Sequence, residues 1–217
     1  MQLNLTADEV LSTTRAVRKR LDFDRPVERQ VLEECLHLAL QAPSGSNAQP
    51  WQFLMVTDPD KRAGLADIYK KAFAVYEQMP TNAATAYRGE DPLRLATQGR
   101  VMDSATYLAR NFERVPAMLI PCHPGRFEGA PSIAHAGVYG SVLPATWSFM
   151  LAARERGLGT AWTSLHLMYE QEAAELLGIP YDKVTQMALI TIGYSKGTEF
   201  KTAPRVDLDT VVHWDSW

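Results

Sequence analysis

The sequence predicts a single domain that mixes helices with strands, α+β or α/β in class, and three observations carry that prediction. A chain of 217 residues with 46% hydrophobic and 22% charged side chains is long and apolar enough for one substantial core. Short apolar runs such as "WQFLMVT" and "AMLIPC" read as buried strands. Longer segments between them carry helical spacing, with neither a repeat nor a linker, so residues 1–217 are read as one domain.

The elements follow in order. Thr6 and Glu9 have the spacing of a capping box, and a helix is expected from there over residues 6–20, with "DFDRPV" as a turn. Residues 27–41 place Val31, Leu32, Cys35, Leu38 and Ala39 on one helical face, ending before Pro43. A strand at "WQFLMVT" is closed by Asp58-Pro59, and residues 60–79 are helical. Residues 80–99 are the least regular part of the middle, and a helix follows over 100–114. After "AMLIPC" and a loop rich in Pro and Gly comes the longest helical candidate, 132–156, kinked or functional at Pro144 and closed by Gly157. "LGTAWTS" is a short strand, "YEQEAAELLGIP" a helix, and "KVTQMALITIGY" a central strand apolar on both faces. The tail ends in Leu208, Val211, Val212, Trp214 and Trp217, apolar residues that need a surface to cover.

Composition excludes several classes. A net charge of −3 offers no basic field for nucleic acid. Two cysteines without a CxxC partner favour a reducing compartment over a disulfide framework. No signal peptide and no membrane span is read, so a cytoplasmic protein is expected. The five histidines lack metal-ligand spacing, and no metal site is read. GxSxG, Walker and GxGxxG motifs are missing, so hard chemistry would fall to a cofactor.

Three constellations remain. In "QAPSGSNAQPWQF" (41–53), Ser44, Gly45, Ser46, Asn47 and Gln49 exceed what a turn requires and suit a loop gripping a planar polar ligand. In "TTRAVRKR", Arg15 and Arg18 fall three apart on the expected helix, where both can meet one anion, with Arg205 as a further cation. In "RGLGTAWTS", Gly157 and Gly159 allow close backbone approach before Thr163 and Ser164. Tyr69, Phe73, Tyr76 and Tyr87 are candidates for stacking a planar molecule, with core packing the competing reading for Phe73.

The order of "RAVR", "APSGSNAQPW", "GLGTAW" and "IGY" with a basic tail resembles the FMN-dependent nitroreductase family from about residue 12 onward. The resemblance implies an α+β fold with a central mixed sheet flanked by helices, in an intertwined homodimer whose C-terminal arms exchange, with FMN at the interface. It places Arg15, Ala16 and Arg18 on FMN from one subunit and Pro43, Ser44, Gly45 and Asn47 from the other. Trp162, Thr163 and Ser164 would approach the ring near N5, and Arg205 the phosphate. Ser164-Leu165 replaces the acidic residue and glycine of several relatives. The implied activity is ping-pong hydride transfer from NAD(P)H through FMN to nitroaromatic, quinone or similar acceptors. Flavin storage or sensing, and the flavin fragmentation or dehalogenation of other superfamily members, are the alternatives.

Overall fold

A computed structural model describes residues 2–87, 89 and 91–217; Arg88 and Glu90, in the irregular 80–99 stretch, lie outside the described residues. Helix α1 (Ala7–Thr13) opens with the expected capping box: the Thr6 hydroxyl accepts from the Glu9 N–H, and the Glu9 carboxylate accepts from the Thr6 N–H. It ends far short of Arg20. The Thr13 and Thr14 hydroxyls donate back to the Glu9 and Val10 carbonyls, and Thr14 is already extended, with ψ 126°. Ala16 then forms a parallel bridge with Thr160, and the Val17 N–H donates to the Thr160 carbonyl at 2.8 Å. Arg15 and Arg18 therefore share no helical face, because residues three apart on extended chain point to opposite sides.

Six strands form one sheet: β1 (Leu21–Asp22), β2 (Gln52–Val56), β3 (Ala117–Pro124), β4 (Leu158–Thr163), β5 (Val184–Gln186) and β6 (Leu189–Ser195). The order β1-β6-β3-β2 is joined by β4 on β6 and β5 on β3. The short β1 falls where the sequence reads as a turn. The mixed sheet of the expectation becomes antiparallel in every ladder between these strands, the parallel component being the Ala16–Thr160 bridge. Strand β6 inserts between β3 and β4. Those two run the same way, but each neighbours a strand of opposite direction. The expected single strand at 183–194 is two, because one extra residue intervenes between the pairs Cys122–Gln186 and Leu119–Ile190, a bulge that re-aims the chain.

Both faces of the sheet are covered, and the alternation in β3 shows it. Met118 and Ile120 pack with α3 (Pro59–Gln78), α4 (Pro92–Arg110) and α6 (Glu170–Leu177), whereas Ala117 and Leu119 pack with α2 (Arg29–Ala39) and α5 (Ser132–Glu155). Helix α4 starts eight residues before the expected position. Asp91 caps it and Pro92 occupies its first turn, where a missing N–H costs nothing. Helix α5 continues through Pro144 without a break. Leu38, assigned to the buried face of α2, is exposed, and Leu36 is partly buried instead. No described helix is long and apolar enough to cross a membrane.

One buried group carries a pH signature. His166, on the 3-10 turn Leu165–Tyr169, is fully buried, and neither ring nitrogen has a hydrogen-bond partner. Burial pushes its imidazole down to about 4. The unfolded chain binds this proton below about 6.5 and the folded chain only near 4, so stability is intact above the upper value and falls as pH drops through that window. The loss is ~3 kcal/mol by pH 4. Urea titrations at pH 7, 5.5 and 4.5 check this: His166→Leu flattens the slope between them.

Candidate functional site

The end of β4 and the chain after α1 meet over a cleft of about 230 Å³, closed by α3 and α4. Its lining unites four expected residues, Arg18, Trp162, Thr163 and Ser164. Ala16 lies beside it, since its bridge to Thr160 and the adjacent Val17 bond hold Arg18 at the strand. That register needs Gly159: a Cβ there would lie 2.6 Å from Val17 Cγ1.

Arg18 donates to Ser104 Oγ at 3.1 Å, and among the described residues no carboxylate lies within salt-bridge distance. Burial pulls its guanidinium below the ordinary value, opposed by the Tyr69 and Tyr76 phenols. A desolvated cation without an anion is costly. The cleft is thus poised for a negatively charged or electron-rich ligand. No carboxylate, histidine or cysteine lines it among the described residues.

The aromatic stripe on α3, Tyr69, Phe73 and Tyr76, forms the wall opposite Trp162. These three were named from the sequence as aromatic candidates; Ser104 and Ala105, which reach the site only because α4 crosses it, carried no signal. Phe73 is buried in the core and also contributes to the cleft lining. Tyr87 stacks under Arg94 and lies elsewhere.

The other expected residues lie outside this cleft. Arg15 donates to the Lys201 carbonyl at 3.1 Å, tying down the start of the tail. Arg205 lines a separate groove of about 520 Å³ beside the first turns of α4. Pro43, Ser44, Gly45 and Asn47 form an exposed loop against α5. That loop is strained: Ser46, Asn47 and Gln49 all take left-handed backbone, with φ of 53°, 53° and 49°. Three such residues in four persist because neighbours hold them. Ser44 Oγ accepts from the Gln49 N–H at 3.0 Å, and Ser141 Oγ on α5 accepts from the Gly45 N–H at 3.1 Å while donating to the Gly137 carbonyl.

Ser141 is therefore the loop's anchor, and sequence reading missed it. Ser141→Ala leaves the Gly45 N–H without its partner, at a cost of about 1–2 kcal/mol. Amide hydrogen exchange should show loss of protection at least tenfold over 44–49, with β3 and β6 protected as before.

An α+β scaffold with a cationic, phenol-lined cleft at the end of β4 is the class these features define. The family model described as "Nitroreductase family" matches residues 11–194, and the chain belongs to that family. Among curated proteins it is 25% identical to the 4-nitrobenzoate reductase of a Nocardioides species, covering 96% of this chain and 90% of that one. Among solved structures it resembles the FMN and NADPH-dependent nitroreductase NfnB from sphigopyxis sp. strain HMH, at 26% identity and TM-score 0.69, over 98% and 100% of the two chains. The fold also matches oxidized iodotyrosine deiodinase bound to FMN and 3-iodo-L-tyrosine, at 21% identity and TM-score 0.69, over 96% and 98%.

Proposed function

We propose that this chain is an NAD(P)H-dependent FMN oxidoreductase, acting on nitroaromatic, quinone or similar acceptors. The observation that carries the reading is Arg18, a desolvated cation without an anionic partner, facing a cleft edged by Trp162, Thr163 and Ser164. These residues fit FMN. Its pyrimidinedione edge is rich in acceptors and gains negative charge on reduction, which is what a fixed guanidinium favours. Bound FMN would supply the two-electron chemistry, taking hydride from NAD(P)H at N5 and returning it to the acceptor in a ping-pong sequence.

The protein's own residues then bind and orient. Arg18 holds positive charge at one edge, and the end of β4 sets the close wall. Arg15, Lys201 and Arg205 are the cations available to the phosphate, and the Ala16–Thr160 bridge holds the segment that carries Arg15. The loop at Pro43, Ser44, Gly45 and Asn47 offers its exposed backbone and side chains to the site of a second subunit.

A homodimer is part of the proposal. Leu208, Val211, Trp214 and Trp217 in the tail, and Ile133 and Trp147 on α5, are exposed on the single chain. We place the protein in the cytoplasm, where its two buried free thiols, pushed up to about 12 by burial, stay reduced. The binding test is a titration of the apoprotein with FMN. Quenching of flavin fluorescence at one FMN per chain, on a particle of twice the chain mass, supports the proposal; absence of uptake defeats it.

A further inference from the structure

Two phenols in the cleft wall have roles that packing alone does not explain. Tyr69 and Tyr76 stand seven residues apart on α3, about two turns, and both line the cleft. The Thr163 and Tyr69 hydroxyls share one bond at 3.4 Å, and the Ala83 N–H donates to the Tyr76 oxygen at 2.6 Å. The Tyr76 oxygen thus accepts from the backbone while its proton has no acceptor among the described residues, and the Tyr69 hydroxyl has one long contact, with a hydroxyl that can itself donate or accept. Tyr69 is only 4% exposed, so the Thr163 hydroxyl and the occupant of the cleft are the partners open to its O–H.

Arg18 lines the same cleft with the Ser104 hydroxyl as its one side-chain acceptor among the described residues, and both phenols act on its guanidinium. The cleft therefore holds a cation and two hydroxyl donors, against no carboxylate. What satisfies all three is a flat ligand with several acceptor atoms along one edge.

We propose that Tyr69 and Tyr76 join Arg18 in one donor set that reads the acceptor-rich edge of a planar heteroaromatic. Resting on the functional reading above, that ligand is FMN, and the edge its pyrimidinedione. Hydrogen bonds from neutral phenols strengthen as the accepting atoms gain charge. Both tyrosines then favour reduced over oxidised flavin and raise its potential. This gives the cleft a tuning element beside the altered Ser164-Leu165 position, built from α3 instead of the end of β4.

Tyr69→Phe is the decisive variant. Its ring stacks on Phe112 at 3.9 Å and is kept, so only the hydroxyl is removed. Tyr76→Phe also frees the Ala83 N–H and serves as the second variant. Tyr107→Phe, whose ring stacks on Phe23 outside the cleft, is the control. The measurement is the flavin midpoint potential of the FMN-loaded full chain, by dye equilibration under anaerobic conditions. The expected result is a shift to more negative potential in Tyr69→Phe, with Tyr107→Phe unmoved. A tenfold loss of preference for reduced flavin corresponds to ~30 mV. Flavin-bound Tyr69→Phe and Tyr76→Phe with the parent potential overturn this proposal alone, as does an equal shift in the control. A parent chain that takes up no FMN overturns the functional reading as well, so the two failures are distinguishable.

Discussion

Arg18→Gln is expected to slow flavin reduction by NAD(P)H by about 10²–10³-fold, the range for removing one preorganised electrostatic donor. It should do so without unfolding the protein, and the structure says why. The guanidinium has one side-chain partner among the described residues, the Ser104 hydroxyl, which itself donates to the Val101 carbonyl. Removing the cation therefore strands no carboxylate. It also removes a group whose burial is unfavourable. Denaturant midpoints should match the parent or rise slightly, the pattern of a residue kept for function at the expense of stability. Stopped-flow reduction of the FMN-loaded variant, beside its urea titration, checks both halves. Normal reduction, or stability lost in step with activity, contradicts the role given to Arg18.

Gly159→Ala is expected to damage fold and site together. A Cβ at this position would lie 2.6 Å from Val17 Cγ1 and 2.8 Å from Val17 Cβ, with Leu21 Cδ2 at 3.1 Å. A rotamer change moves the Cγ1 atom, but Cβ is fixed to the backbone and Val is stiff at χ1. The chain bearing Val17 must then retreat from β4. That weakens the Val17–Thr160 bond and the Ala16 bridge, the two contacts that place Arg18. Overpacking of this kind costs about 1–3 kcal/mol. For a chain of this size that lowers Tm by roughly 2–4 °C per kcal/mol. Unlike Arg18→Gln, this variant should lose stability and FMN affinity in parallel. A Tm within a degree of the parent would mean the two segments are not in register.

The contrast between these variants shows what the sequence could reveal. Strands buried on both faces, such as β3, were plain from their unbroken apolar runs, and α5 from its length. The Thr6–Glu9 cap was legible because its chemistry is local. What failed depended on partners distant in sequence. Residues 14–18 carry good helix formers, but the Thr160 carbonyl 143 positions on takes the Val17 N–H and holds the segment extended. The antiparallel sheet was likewise hidden, since β6 enters between β3 and β4 only after the whole chain is laid down.

The site divides in the same way. Trp162, Thr163, Ser164 and Arg18 were found by motif and do meet in one cleft. The loop at 43–49 was found by composition, and its left-handed serine, asparagine and glutamine give it a physical distinction no residue count could. Ser104 and Ser141 were missed because nothing in their local sequence marks them. Arg15 and Arg205 were named for a phosphate; on the single chain they serve the Lys201 carbonyl and the groove beside α4.

The most direct test of the central claim is the visible spectrum of the purified protein, supplied with FMN and recorded before and after anaerobic NADPH or NADH. Flavin bands that bleach with either nucleotide, and return when a quinone or nitroaromatic is added, are the predicted result. Bands that persist under both nucleotides would contradict it and point to flavin storage.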